Sequence, residues 1–226
     1  MIKVENIEVY GWETAIRGMR NPMNSWNKSD SIFNAGFGSN GTILGEDDLK
    51  LMQSLVKAGT DHSKFMRMIN VTLDITAPLY WWKEFDTYKV GTVANSCSTM
   101  HKIHSKEFTL DDFSHEHISI KQSIDILTET IETLNVFRNI YLNGGILTYE
   151  TGEQFIFEPK NKEIWWQMIQ LLPSSYNQKR TVQLNYQVLR NIHFARRNHK
   201  LNEWHDFCHM IEELPYAKKL ICLEDK

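Results

Sequence analysis

The segment from Phe65 to Phe85, FMRMINVTLDITAPLYWWKEF, constrains the fold of this chain most strongly. Within residues 65–76, Ile69, Val71, Leu73 and Ile75 occupy every second position, so one face of an extended chain would be strongly apolar. This alternation predicts a central β-strand over 65–76. The Ala77-Pro78 step then predicts a helix through Phe85, because proline is favoured in the first turn of a helix.

The other predicted elements surround this strand-to-helix unit. Residues 2–10 alternate as a strand does, and a short helix is predicted from Trp12 to Arg17. Residues 21–45 form a long loop in which Trp26, Ile32, Phe33 and Phe37 provide apolar anchors. Further helices are predicted over 46–57, 109–143, 164–172, 181–198 and 202–213, and a hairpin over 146–158 around Thr151-Gly152.

Two capping signals mark the ends of the longest predicted helix. Thr109 with Asp112 has the spacing of a capping box, and Asn143-Gly144-Gly145 is typical of a helix C-terminus. With 226 residues, of which 42% are hydrophobic, the chain can bury a substantial core. These features predict one α+β domain over 1–226.

Charge and cysteine content exclude several classes of function. The chain has 25 basic and 28 acidic residues, and so weak a net charge of −3 argues against general binding to nucleic acid or a membrane surface. Three widely spaced cysteines form no disulfide framework, which favours a reducing compartment, and no segment approaches a membrane-spanning length. We therefore expect a cytoplasmic protein. His205 and His209 have a spacing that can bind zinc, but no third ligand is evident, so no metal site is predicted.

Four stretches, in order, resemble motifs of the flavin-dependent thymidylate synthases. Their positions are Ala15–Arg20 (AIRGMR), His62 with Pro78 sixteen residues later, Asn95–Ser98 (NSCS), and a run from Leu172-Pro173 through Asn185, Asn191 and Arg196 to Glu203-Trp204. Each motif is weak alone, and their order and spacing make the combination more specific. The resemblance covers about two thirds of the chain.

The chain departs from the family signature RHRxxSxNExSxRY. The RHR triplet falls on Thr87-Tyr88-Lys89 and the first serine on Thr92, with one extra residue before Asn95. Ser96 stands where the family has glutamate, and Met100-His101 where it has RY. Three further family residues are replaced: a glutamine by Glu84, and two arginines by Lys179 and Gln187. Because lysine lacks the planar guanidinium with which arginine binds phosphate through two hydrogen bonds, these replacements predict weaker phosphate binding. Candidate replacement donors are Arg17, Arg20, Arg180, Arg190 and Lys102.

The resemblance implies an α+β fold with a twisted, mostly antiparallel sheet flanked by helices, assembled as a homotetramer. It implies FAD, a dUMP-type pyrimidine deoxynucleotide and, if the protein is active, NADPH and methylenetetrahydrofolate. The residues expected at the flavin are His62, Thr87, Tyr88, Lys89, Thr92, Asn95, Asn185 and Asn191. Those expected at the nucleotide are Glu84, Ser98, Lys179 and Arg196, and Ser98 is the residue carried over as catalytic. Glu84 also raises a second interpretation, a cytosine-like or amino-bearing ligand, because a carboxylate accepts hydrogen bonds.

Three hypotheses for function stay open at this point. The first is an enzyme transferring a one-carbon unit to a pyrimidine deoxynucleotide. The second is a non-catalytic nucleotide-binding protein of the same fold, suggested by the altered RHR and RY positions. The third is an assembly protein that uses an aromatic surface around Trp81 and Trp82. Cys97 has no neighbouring base in the sequence, so we expect an inert, buried thiol there.

Overall fold

The structure is a computed structural model that describes residues 2–33 and 41–224, so the predicted anchor Phe37 lies outside the described residues. Short 3-10 turns cover 21–23, 26–28, 64–67 and 110–112. The strands and helices run in the order β1 (Lys3–Tyr10), α1 (Trp12–Arg20), α2 (Glu46–Lys57), β2 (Asn70–Pro78), α3 (Leu79–Phe85), β3 (Val93–Ser96), α4 (Thr99–Lys102), α5 (Lys121–Asn143), β4 (Gly145–Thr148), β5 (Gln154–Phe157), α6 (Lys162–Leu171), β6 (Asn177–Asn185), α7 (Tyr186–Arg196), α8 (Asn202–Glu212) and α9 (Ala217–Leu220).

The chain divides into two compact units. Unit 1 comprises Met1–Thr76, Glu84–Asn95 and Arg180–Lys226, and unit 2 comprises Ala77–Lys83 and Ser96–Lys179. The chain therefore passes from one unit to the other four times. The single domain over 1–226 stays a prediction.

A four-stranded sheet has the order β1-β2-β6-β3. Strand β1 pairs antiparallel with β2, from Lys3 opposite Thr76 to Tyr10 opposite Asn70, with a register shift between Glu5 and Glu8. Along β2, Val71, Leu73 and Ile75 are buried while the residues between them are partly exposed, as the sequence alternation predicts. The mixed α+β class, with antiparallel sheets flanked by helices, is confirmed.

Unit 2 has its own apolar core beneath the long helix α5. Its buried members come from α5, from α6 and from the segment that precedes α5: Ile103, Phe108, Phe113, Leu127, Leu134 and Met168. The predicted hairpin is confirmed as β4 and β5, which pair antiparallel from Gly145 opposite Phe157 to Thr148 opposite Gln154. Helix α6 ends at Leu171, before Pro173, as predicted.

Two predicted boundaries are wrong because tertiary packing overrides the local pattern. The strand predicted over 65–76 begins only at Asn70. Phe65 and Met66 are both buried, but they lie in the 3-10 turn Lys64–Arg67 and not in the strand. The helix predicted over 109–143 begins only at Lys121. Thr109 and Asp112 do form a capping box, but it caps the start of the 3-10 turn 110–112, and Phe113 then bridges to Tyr176 as extended chain.

The helix predicted over 181–198 is also wrong in its first part. Residues 177–185 form strand β6, and only Tyr186–Arg196 are helical. Val182 and Leu184 are buried at alternate positions of β6, but Gln178 and Asn185 are buried in the same strand and are polar, so the apolar period of two is too short to recognise. Pairing in the sheet, rather than local propensity, decides this segment.

Among the described residues, no helix is both long enough and apolar enough to span a membrane. Trp81 and Trp82 are fully buried and pack edge to face, with ring centroids 5.0 Å apart. They therefore offer no aromatic surface, and this overturns the third hypothesis in the form that the sequence suggested.

Candidate functional site

A charged cluster forms in unit 1 around Arg196, in the last turn of α7. Its Nη1 donates to Glu84 Oε2 at 2.8 Å and its Nε donates to the Tyr88 hydroxyl oxygen at 2.9 Å. Glu84 lies in the last turn of α3 and Tyr88 in the turn that follows it. The structure thus brings together three residues that the sequence predicted for the site, although Arg196 is more than 100 positions from the other two.

Aromatic rings hold the guanidinium of Arg196 in place. The Arg196 Cζ atom lies 4.8 Å from the ring centroid of Trp204 and 5.6 Å from that of Tyr88. Trp204 is fully buried, and its indole Nε1 donates to the same Glu84 Oε2 at 3.0 Å. His199 Nε2 lies 3.3 Å from that oxygen. One carboxylate oxygen therefore faces donors on three side chains, and the cation is both paired and stacked.

Asn185 has a structural role at the start of α7. Its side-chain oxygen accepts a hydrogen bond from the Val188 backbone N–H at 3.1 Å, which caps the helix. Gly91 lies against this cap with φ of +78°, and a Cβ there would stand 3.0 Å from Asn185 Nδ2. The turn that carries Tyr88 therefore packs directly on the cap. No local pattern in the sequence marks Gly91, because the need for glycine comes from the close approach of Asn185 in the folded chain.

Asn191 belongs to a second polar group, centred on the buried Gln187. Gln187 Nε2 donates to Asn191 Oδ1 at 3.1 Å, and Gln187 Oε1 accepts from Ser63 Oγ at 3.4 Å. Ser63 follows His62, whose side chain is exposed. Gln187, which stands where the resemblance expects an arginine, thus links the His62–Ser63 segment to α7 through neutral hydrogen bonds.

The other residues predicted at the flavin lie in the turn after α3 and in β3. Thr87 Oγ1 donates to the Glu84 carbonyl at 2.8 Å, so this side chain stabilises the C-terminal end of α3. Lys89 and Asn95 are exposed. Thr92 Oγ1 is buried and has no hydrogen-bond partner within the part of the chain that the structure describes. Of this set, only Tyr88 joins the Arg196 cluster.

Ser98 and Lys179 lie in unit 2. The Ser98 hydroxyl oxygen accepts from the His101 backbone N–H at 3.2 Å, which caps the short helix α4. The Lys179 carbonyl accepts from the Cys97 N–H at 2.9 Å. Cys97 itself is exposed, so the expectation of a buried thiol was wrong. The reason is that β3, which Cys97 follows, is an edge strand whose residues are all exposed.

The candidate replacement cations divide into engaged and exposed groups. Three of the arginines already have a partner 2.7 Å away. Arg20 donates to the Asp48 carboxylate and Arg180 to the Asp86 carboxylate. Arg190 donates to the Ile221 carbonyl. Arg17 and Lys102 are exposed, in units 1 and 2 respectively. Within the described residues, no group of three or more His, Cys, Asp or Glu side chains could hold a metal ion.

Two solved structures share the fold of this chain. One is the crystal structure of thymidylate synthase X from Helicobacter pylori with FAD and dUMP, which aligns with a TM-score of 0.64 over 99% of this chain and 100% of that chain, at 15% identity. The other, a flavin-dependent thymidylate synthase from the same organism complexed with FAD and dUMP, aligns with a TM-score of 0.63 over 97% and 100% of the two chains, at 14% identity.

The sequence comparisons find no relative. No protein-family model matches the chain, and no curated protein matches it significantly. At 14–15% identity, the structural likeness shows the fold alone. The chain therefore has the fold of these two thymidylate synthases.

Proposed function

We propose that the chain is a divergent flavin-dependent thymidylate synthase-like protein that binds FAD and a pyrimidine deoxynucleotide of the dUMP type. The observation that carries this proposal is the likeness over nearly the whole chain to two structures whose ligands are FAD and dUMP. The motif resemblances, found without the structure, support the same family.

The residues fit an anionic cofactor in part. His62, Lys89 and Asn95 have exposed side chains that can donate hydrogen bonds to flavin phosphates or to the ring edge. Bound FAD supplies the redox chemistry, and the protein supplies binding and orientation. Asn185 fits less well, because its side-chain oxygen already caps α7.

Arg196 does not fit as a phosphate ligand in the observed arrangement. Its charge is balanced by Glu84 at 2.8 Å, and its Nε is bound to Tyr88. A phosphate would compete with an internal carboxylate for the same fork. Lys179 and Ser98, which both lie in unit 2, are then the residues that we assign to the nucleotide phosphate.

The neutralised arginine also favours the second hypothesis, a nucleotide-binding protein without turnover. If catalysis is retained, NADPH and methylenetetrahydrofolate are the co-substrates that the family implies. A cytoplasmic homotetramer belongs to the same proposal.

An absorbance spectrum of the purified full-length chain tests flavin binding. We expect flavin bands in the near ultraviolet and blue, either as purified or after FAD is added and the excess removed. A protein that retains no FAD, even in the presence of dUMP, would refute the proposal.

A second experiment separates the enzyme from the binding protein. We expect dUMP to raise the melting temperature, because a ligand that binds only the folded state stabilises it. Lys179→Met should reduce that shift, whereas Lys121→Met, an exposed lysine on α5, should leave it unchanged. Tritium release from 5-tritiated dUMP, with FAD, NADPH and methylenetetrahydrofolate present, identifies an enzyme, and its absence alongside dUMP binding identifies the non-catalytic alternative.

A further inference from the structure

Unit 2 contains a cavity that has no part in the proposed flavin and nucleotide site. Its volume is about 500 Å³, and it lies among α5, the β4–β5 hairpin and α6. Cavities of roughly 300–1,000 Å³ are typical of small-molecule sites. None of the lining residues is among those assigned above to FAD or the nucleotide.

Four aromatic rings line the cavity. Phe137 comes from α5, and Tyr149, Phe155 and Phe157 come from the hairpin. The rings of Tyr149 and Phe155 stand at 87° to each other, with centroids 5.3 Å apart. The Tyr149 N–H donates to the Glu153 carbonyl at 3.0 Å, which closes the hairpin and fixes this pair. The two rings therefore pack edge to face and form an aromatic wall of the cavity.

The charged side chains that line the cavity and the depression beside it are all acidic. Glu163, in the first turn of α6, is the one ionised side chain among the described lining residues. A second depression of about 620 Å³ shares Val136 and Leu147 with this cavity, and its lining adds Glu107 and Glu132 and no lysine or arginine. Such a surface disfavours a phosphate or carboxylate and favours a positive charge.

We propose that this cavity binds an organic cation with an aromatic or apolar body, such as an arylalkylamine. Its ammonium group lies at Glu163 and its apolar body lies against the four rings. The volume exceeds what a bare ammonium head requires, so the apolar body is part of what is recognised. Burial of that body provides affinity, and the Glu163 carboxylate provides selectivity for the charge.

Calorimetric titration of the full-length chain with three indoles tests the proposal at neutral pH. Tryptamine, tryptophol and indole-3-acetate share one ring and carry an ammonium, a hydroxyl and a carboxylate. We expect tryptamine to bind about tenfold more tightly than tryptophol, which corresponds to about 1.4 kcal/mol, and indole-3-acetate to bind most weakly.

Two variants and a control locate the site. Glu163→Gln should lower tryptamine affinity to that of tryptophol and leave tryptophol unchanged, and Phe155→Ala should weaken both. Glu153→Gln, on the same hairpin but outside the lining, should change neither.

Three results would overturn the proposal. The first is the absence of tryptamine binding. The second is a ratio of tryptamine affinity to tryptophol affinity that Glu163→Gln does not alter. The last is a chain that sediments as an oligomer, becomes monomeric in Phe155→Ala and takes up none of the indoles, since a second copy would then cover these rings.

Discussion

Removing the Glu84 carboxylate should destabilise unit 1, because three donors meet at one of its oxygens. In Glu84→Ala, the Arg196 guanidinium loses its counterion and the Trp204 indole N–H loses the acceptor at 3.0 Å. Arg196 is 18% exposed at its side chain and Trp204 is fully buried, so water can replace the carboxylate only in part. The variant therefore leaves a stacked cation with little solvation.

The expected cost follows from these contacts. A hydrogen bond to a charged group contributes about 1.5–3 kcal/mol, and a buried donor without an acceptor costs about 1–3 kcal/mol. Glu84 is itself 34% exposed, which places both terms in the lower part of their ranges. We expect Glu84→Ala to lower the free energy of unfolding by about 2–3 kcal/mol, and Glu84→Gln, which keeps an acceptor, by about 1 kcal/mol.

Urea unfolding followed by tryptophan fluorescence measures this loss. The control is Glu46→Ala, which removes an ion pair with Lys50 in which both side chains are well exposed; it should cost no more than about 0.5 kcal/mol. The double variant Glu84→Ala with Arg196→Met should cost less than the two single variants added together, because each single change leaves a partner unpaired. A Glu84→Ala protein within about 0.5 kcal/mol of the parent would refute the reasoning.

Three further predictions concern other parts of the chain. Asp48 is fully buried; burial raises its pKa, but hydroxyl and guanidinium hydrogen bonds outweigh this and hold the pKa below its ordinary value of 3.8. The contribution of the ionised Asp48 carboxylate to stability should be complete above pH 3.8 and be lost as the pH falls through its lower, folded-state pKa. In urea unfolding, Asp48→Asn should lower the free energy of unfolding by about 3 kcal/mol and remove this pH dependence. Gly144→Ala should lower the melting temperature more than Gly152→Ala, since both have positive φ but only at Gly144 would a Cβ meet other atoms, the nearest at 2.9 Å. Ellman's reagent at pH 8 should label the exposed Cys97 well before Cys208, because burial raises the pKa of the Cys208 thiol to about 12.

The candidate site was only partly predictable from the sequence. Motif order identified Glu84, Tyr88 and Arg196, and the structure joins them. What each residue does was hidden, because hydrogen-bond partners distant in sequence decide it. Asn185 caps α7, and the Arg196 guanidinium is paired with the Glu84 carboxylate. Residues that were predicted to contact ligands therefore make stabilising contacts within the protein.

Elements with a strong local pattern and no competing signal could be predicted from the amino-acid sequence alone. Helix α2 has the predicted bounds Glu46–Lys57. The alternation through Val71, Leu73 and Ile75 identified β2, which lies inside the four-stranded sheet. Period and capping residues are local properties, so they can be read without knowledge of the partners.

Segments whose local signals conflict with their surroundings could be assigned only once their packing partners were known. Residues 181–185 are predicted as the start of a polar helix, yet they belong to β6, which lies between β2 and β3 in the sheet. Phe113 lies where a helix was predicted, yet its extended backbone bridges to Tyr176. Backbone pairing between distant segments and burial of Phe113 outweigh differences in intrinsic propensity, which are well under about 1 kcal/mol per residue for most side chains.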